Sequence, residues 1–232
     1  ILSVIPISRG IPFNTLSYYS ADALSPGTLI EIPLGKQAIK GIVYESTSLI
    51  EAKTSIKQAT FSLKKIKSVI GFSSYYGALI EGLRTASTKT LTPIGSLAGI
   101  VINDAYIDIF QKIPSIEIVE EEKKPPKAVY GIVLDRVDNY KRIIRGAFAE
   151  KKSIVLVAPS IRSVEYWYNS LQKGITSHSV ILHSKITKRD QKNALTTIKN
   201  SERPLFICTT PQYSCVPRND ISTIILEDET SS

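Results

Sequence analysis

Three consecutive acidic residues, Glu227, Asp228 and Glu229, directly follow the apolar run Ile224 to Leu226. Carboxylates at the end of a buried strand can hold Mg²⁺, because hard cations prefer oxygen ligands. A solvated acidic loop has the same composition, so both interpretations stay open and no catalytic residue is assigned. The two Cys and two His do not form a zinc constellation, so we predict no zinc in this chain, and no residue is assigned as a metal ligand.

The charge of the chain favours an anionic partner. It carries 29 Lys and Arg against 21 Asp and Glu, a formal net charge of +8. Residues 1–113 have 11 basic and 7 acidic residues, net +4, and residues 128–232 have 15 and 10, net +5. This balance indicates nucleic acid or an acidic membrane surface.

The sequence shows no membrane span, signal peptide or disulfide framework. No apolar run approaches the roughly 20 residues needed to cross a bilayer, and no basic segment precedes an apolar one at the N-terminus. The two cysteines do not resemble a secreted disulfide framework. We predict a cytoplasmic protein without a membrane among its partners. Because the sequence contains no Met, we also expect it to be a piece of a longer protein.

The elements that position these residues change in type along the chain. Alternating apolar residues between turn-rich segments predict strands over Leu2–Ile7, Thr28–Leu34 and Ile39–Glu45. Helical spacing predicts helices over Ser73–Leu83 and Ile94–Ile102, separated by a stretch rich in Ser and Thr. The first part of the chain is therefore predicted to be a small, mainly β domain over residues 1–113.

A polar Glu/Lys/Pro segment at residues 114–127 is predicted to be the linker to a second domain, residues 128–232. Its uniformly apolar strands alternate with helices, which is typical of a doubly wound parallel sheet covered on both faces. The overall prediction is an α/β protein. In chain order the predicted strands and helices are strand Ala128–Leu134, helix Asn139–Ala149, strand Ser153–Ala158, helix Arg162–Leu171, strand Ser179–His183, helix Lys188–Lys199, and strands Leu205–Thr209 and Thr223–Leu226.

The order of short motifs in the first half resembles the 3′-DNA-binding domain of the PriA family of primosomal replication-restart helicases. The motifs are Val4-Ile5-Pro6-Ile7, Pro12-Phe13-Asn14, Pro26-Gly27-Thr28, Ile32-Pro33-Leu34-Gly35-Lys36-Gln37, Gly41-Ile42-Val43, Leu63-Lys64-Lys65-Ile66 and Leu91-Thr92-Pro93-Ile94-Gly95. In that family this domain captures the 3′ end of a DNA strand.

The resemblance implies a 3′-end site made by Phe13, Asn14, Gly35, Lys36 and Lys64. An aromatic ring can stack on a terminal base, a glycine permits close backbone approach, and lysine neutralises phosphate. Asn14 departs from the family, which has Asp at this position. That change puts selectivity for a free 3′-hydroxyl in doubt.

The second half resembles lobe 1 of the same helicases, which implies a RecA-like fold and, by family alone, ATP and Mg²⁺. The similar segments are 153–159, 181–184 and 208–210. The stretch equivalent to the nucleotide loop carries Gly131, Asp135, Arg136 and Val137, and it is not a phosphate loop. An Asp repels a triphosphate, and Val cannot bind a metal. We therefore assign no cofactor beyond the ATP and Mg²⁺ that the resemblance implies, and we predict a degenerate lobe 1 of a superfamily 2 helicase.

Three hypotheses of function follow from these residues. The first is a DNA-binding protein of replication restart that recognises forked or single-stranded DNA and 3′ ends, with weak or no ATPase. The second is an active ATP-dependent 3′–5′ helicase completed by a further lobe. The third is a non-enzymatic scaffold for other replication-restart proteins.

Overall fold

A computed structural model describes residues 1–8, 10–48, 63–72, 74–110 and 133–227. The chain divides into two compact units, residues 1–116 and 117–232. The predicted linker at residues 114–127 lies outside the described residues. The fold is α/β overall, as predicted, with a mainly β first unit and a parallel sheet in the second.

The first unit contains one six-stranded sheet. In chain order its strands are β1 (Leu2–Pro6), β2 (Leu16–Tyr19), β3 (Thr28–Leu34), β4 (Gln37–Ser46), β5 (Lys64–Lys65) and β6 (Ser68–Phe72). Across the sheet they are ordered β5-β2-β1-β4-β3-β6. All pairs are antiparallel except β2 with β5, in which Tyr18 lies opposite Lys64.

Both faces of this sheet are covered, because successive strand residues point to opposite sides. Ile5, Leu29 and Ile42 pack against the helices that follow the sheet. Their neighbours in sequence form a second core with Tyr18 and Ile66 from the short strands and adjoining loop. The alternation therefore explains why the central strands have almost no exposed apolar residue.

Over residues 74–110 the chain forms the helices α1 (Ser74–Thr90), α2 (Ile94–Val101) and α3 (Asp104–Phe110). The prediction that α1 ends at Leu83 is wrong. The hydroxyls of Thr85, Thr88 and Thr90 each donate to the carbonyl four residues earlier, so these side chains stay within the helix instead of breaking it. The helix ends where Leu91 adopts a positive φ of 53°.

The described part of the second unit contains four parallel strands, β7 (Ser153–Val157), β8 (Ser179–Leu182), β9 (Phe206–Thr209) and β10 (Ile221–Leu226), in the order β10-β7-β9-β8. Its helices are α4 (Val133–Ala149), α5 (Ile161–Leu171) and α6 (Lys188–Asn200). The predicted strands and helices from residue 153 onward agree with these bounds to within two residues.

The core of the second unit explains the direction of its connections. Residues of α4 and α5 share one hydrophobic core with Ile154, Leu156, Phe206 and Cys208 on one face of the sheet. The chain moves outward from β7 to β8 through α5 and returns to β9 through α6. Because such crossovers are right-handed, the reversal places α6 on the opposite face. The unit is therefore doubly wound.

The prediction that Val133 and Leu134 belong to a strand and that the helix begins only at Asn139 is wrong, since α4 already begins at Val133. The rest of that predicted strand, residues 128–132, lies outside the described residues. Val137, Tyr140, Ile144 and Ala147 all contact the same core. Their spacing of three or four residues is helical, and it extends the apolar stripe of α4 one turn before the predicted start at Asn139.

Candidate nucleic-acid interface

A pocket of about 560 Å³ opens on the first unit beside β2 and the β3–β4 turn. It brings together three of the five residues predicted to bind a 3′ end, namely Phe13, Gly35 and Lys64. These residues are far apart in sequence. Its remaining lining residues are Thr15, Leu16, Ser17, Tyr18, Pro33 and Leu34.

Phe13 provides the aromatic surface of the pocket. Its side chain is 62% exposed, the largest exposed fraction of any aromatic residue among the described exposed hydrophobic residues. An exposed phenyl ring adds little to folding, yet it offers a face on which a base can stack. The ring is therefore available to a ligand.

Gly35 lines the pocket at a turn that favours glycine. The turn has two residues between Leu34 and Gln37, which are paired across the hairpin. Gly35 has a φ of +58°, in the left-handed region, and a Cβ built there would meet no atom within 4 Å. The backbone at this position thus favours glycine, and open space lies in front of it.

Lys64 is held at the pocket by backbone pairing across the sheet. Tyr18 lies opposite Lys64 where β2 and β5 run in parallel. Two residues after Lys64, the amide of Ile66 donates to the Tyr19 carbonyl at 3.1 Å, which extends this pairing. Lys65, the next residue, does not line the pocket, as expected when side chains alternate along a strand.

Tyr18 forms the inner wall of the pocket. Its ring is buried in the sheet core, and its hydroxyl donates to the Pro33 carbonyl at 2.9 Å. Burial raises the pKa of Tyr18, so the hydroxyl remains protonated at neutral pH. The bond joins β2 to the end of β3 and stabilises the shape of the wall.

Asn14 and Lys36 do not line this pocket. The Oδ1 atom of Asn14 accepts from the backbone amide of Ile94 at 3.2 Å, at the start of α2. Free amides at the beginning of a helix need such acceptors, and the residue before Ile94, Pro93, makes no side-chain capping bond. Asn14 therefore joins the loop before β2 to α2.

Most of the pocket wall, including Leu16, Ser17 and Tyr18, was not predicted from the sequence. The available signal was the run Leu16-Ser17-Tyr18-Tyr19, in which aromatic residues favour a strand. Four residues are too few for a clear alternation. Only the pairing of β2 with both β1 and β5 places this run beside Lys64.

In the second unit, the side chains of Arg136 and Glu227 form an ion pair. Arg136 lies in the first turns of α4, and Glu227 directly follows β10. Their side chains are 21% and 4% exposed, respectively. The second carboxylate oxygen of Glu227 accepts from the Tyr140 hydroxyl at 2.6 Å. Both carboxylate oxygens are therefore occupied by residues of α4.

Aromatic rings pack around this ion pair. The Arg136 guanidinium lies 5.7 Å from the centre of the Trp167 ring, and Tyr140 packs against the same ring at 5.1 Å between centroids. Burial, followed by the bond to Glu227, raises the pKa of Tyr140 above its usual range, and the Arg136 charge opposes this shift. The hydroxyl therefore donates at every ordinary pH.

The described residues at the nucleotide-loop positions do not fit ATP with Mg²⁺. By the family resemblance, Arg136 occupies the position of the phosphate-binding lysine, but its side chain forms an ion pair with Glu227. Val137, at the hydroxyl position, packs against the hydrophobic core. Asp135 is exposed on the first turn of α4. Gly131, Asp228 and Glu229, the other predicted nucleotide-site residues, lie outside the described residues.

The described part of the chain contains neither a metal-binding cluster nor a helix that could span a membrane. No group of three or more His, Cys, Asp or Glu residues there is arranged to hold a metal ion. None of the helices described has the length and apolar character needed to span a membrane.

Comparison with known proteins places the chain beside one type of protein. No protein-family model matches it. Two curated relatives are replication restart protein PriA from Helicobacter pylori strains J99 and 26695. Each is 22% identical across 97% of this chain and 36% of its own length. The chain thus spans about a third of the curated relatives it matches, and it is a distant relative of PriA over that part.

Proposed function

We propose that this chain is a DNA-binding part of a replication-restart protein and that its first unit holds a 3′ end or a forked junction. The observation that carries the proposal is the pocket in which an exposed phenyl ring, a left-handed glycine turn and a lysine meet. These three groups suit a terminal nucleotide: the ring stacks on the base, and the lysine binds the phosphate.

The charge of the unit supports the same proposal. Residues 1–113 have a net charge of +4, from 11 basic and 7 acidic residues. Such a surface attracts DNA before the pocket engages the strand end. Binding to phosphates releases counterions, so affinity should fall steeply with salt.

The first test measures binding of the purified chain to labelled single-stranded and forked DNA by fluorescence anisotropy. We expect Phe13→Ala to weaken binding about tenfold, since stacking on one base contributes about 1–3 kcal/mol. Phe72→Ala is the matched control, because Phe72 is also half exposed but lies on β6, at the opposite edge of the sheet from β5. Equal affinities for these two variants would remove the assignment of the pocket.

The second unit is proposed to contribute little or no ATP hydrolysis. The support is the internal pair of Arg136 and Glu227, together with the packed side chain of Val137. Phosphate binding would require Arg136 to leave a carboxylate that is almost fully buried. The active helicase hypothesis therefore receives no support from the described residues, and no described contact favours the scaffold hypothesis.

A further inference from the structure

One hydrogen bond joins the loop that carries Phe13 to the helices of the first unit. The Oδ1 atom of Asn14, the next residue, accepts from the Ile94 amide at 3.2 Å. As far as the chain is described, no other hydrogen bond ties residues 10–15 to another element. The hydrogen-bonded attachment of this loop therefore depends on a single side chain.

The core of the unit holds the partner of Asn14 in place. Ile94 is buried, and it packs with residues of β1 and α1 in one hydrophobic core. A Cβ atom at Gly95 would lie only 2.6 Å from the Pro6 carbonyl oxygen, so the first turn of α2 lies directly against the end of β1. The Ile94 amide therefore gives the loop a fixed point of attachment.

Phe13 has much less support from its own packing. Its ring is 62% exposed, so surrounding side chains restrain it little. Because Phe13 and Asn14 are adjacent, the bond to Ile94 holds the backbone from which the ring projects. Asn14 itself does not line the pocket. A ring that is already in place loses less conformational entropy when a base stacks on it, and binding is correspondingly tighter.

We propose that Asn14 is a positioning residue: by binding the start of α2 it holds Phe13 at the pocket, and it contributes to DNA affinity through that ring. This inference rests on the proposed function, since it concerns the same pocket. The role requires a side-chain oxygen at position 14 that can accept from the Ile94 amide. Asn and Asp both provide one, whereas Ala does not.

A double-mutant cycle tests this role. Fluorescence anisotropy measures binding of a labelled single strand with a free 3′-hydroxyl to the wild-type chain, Phe13→Ala, Asn14→Ala and the double variant. We expect Asn14→Ala alone to weaken binding about twofold to tenfold, the ordering cost of one side chain. In the Phe13→Ala background the same change should have no further effect, because the ring that Asn14 positions is absent. Independent losses that multiply in the double variant would indicate a separate contact of Asn14 with DNA and would overturn the proposal.

Two further variants separate positioning from a general loss of structure. Asn103→Ala is the matched control, because Asn103 Oδ1 accepts from the Tyr106 amide at 3.0 Å at the start of α3 but does not line the pocket. Its DNA affinity should equal that of the wild-type chain. Asn14→Asp keeps the acceptor, and a carboxylate is favourable at the start of a helix, so it should bind within about twofold of the wild-type chain at roughly 0.15 M salt.

Circular dichroism checks that every variant is folded at the assay temperature. An Asn103→Ala loss as large as that of Asn14→Ala would overturn the proposal, since any lost helix cap would then weaken binding. An Asn14→Asp loss as large as that of Asn14→Ala would also overturn it, since the acceptor would then not be what matters.

The failures of the two proposals can be told apart. Binding that is weakened by Phe13→Ala but unchanged by Asn14→Ala would overturn the positioning role alone and leave the assignment of the pocket standing. Binding that is unaffected by Phe13→Ala would instead overturn the proposed function, and the role of Asn14 with it.

Discussion

The two units treat their candidate sites in opposite ways. In the first unit, Phe13 and Lys64 line an open pocket, and no described side-chain hydrogen bond or ion pair occupies the Lys64 ammonium group. In the second, Arg136 and Glu227 occupy each other, and Tyr140 and Trp167 pack around them. A site for an external ligand has polar groups that are free to bind it. Where the polar side chains bind one another instead, they stabilise the fold and are not available to a ligand.

Among substitutions at the two candidate sites, this comparison predicts the largest loss of stability for Glu227→Gln. The change removes the negative charge and leaves the Arg136 guanidinium largely buried without its ion partner. We expect the free energy of unfolding to fall by about 3 kcal/mol, the low end for a broken buried pair because Arg136 keeps some contact with water. Urea unfolding followed by the fluorescence of Trp167, the one tryptophan in the chain, measures the change.

Glu202→Gln is the matched control for that substitution. Glu202 is exposed in the loop before β9, so the same chemical change should alter the unfolding free energy by no more than about 0.5 kcal/mol. If Glu227→Gln and Glu202→Gln unfolded alike, the ion pair would not be a source of stability.

A smaller effect is expected for Tyr140→Phe. The ring and its packing against Trp167 remain, while the hydrogen bond to Glu227 is lost. Hydrogen bonds to charged groups contribute about 1.5 kcal/mol, so the unfolding free energy should fall by about that amount. Tyr166→Phe, at an exposed ring on α5, is the control. Equal stability of Tyr140→Phe and the wild-type chain would contradict a structural role for the bond.

In the first unit, Phe13→Ala should leave stability nearly unchanged even though it weakens DNA binding. The ring is 62% exposed, so its removal should change the unfolding free energy by less than about 0.5 kcal/mol. Thermal unfolding followed by circular dichroism tests this expectation. Ile30→Ala, at a fully buried position of β3, should cost about 2–5 kcal/mol in the same assay. A large loss in Phe13→Ala would mean that Phe13 is a core residue.

The smallest expected effect is that of nucleotide on the second unit. ATP with Mg²⁺ should neither change the Trp167 fluorescence nor be hydrolysed above background, with or without DNA. The reason is that Arg136 is already paired and lies 5.7 Å from the Trp167 ring centre. DNA-stimulated hydrolysis that disappears in Arg136→Ala would overturn the comparison between a filled and an open site.

Local patterns predicted much of the second unit correctly because its strands are uniformly apolar and its helices amphipathic. The predicted start of α4 was wrong because a short segment of Val and Leu is compatible with a strand and with a helix. The residues Val133 and Leu134 belong to the helix, whose stripe continues through Val137 and Tyr140. In the first unit, β2 and β5 are so short that only pairing with their neighbours defines them.

The sequence by itself determined the types of residue available for binding: an aromatic at position 13, a turn glycine at 35 and a lysine at 64, with no phosphate loop at residues 131–137. The tertiary structure decided which of them meet. Phe13, Gly35 and Lys64 line one pocket, Asn14 binds the start of α2, and Arg136 finds Glu227 at a separation of 91 residues. Such long-range contacts depend on the order of strands in a sheet, and that order cannot be derived from residue spacing along the chain.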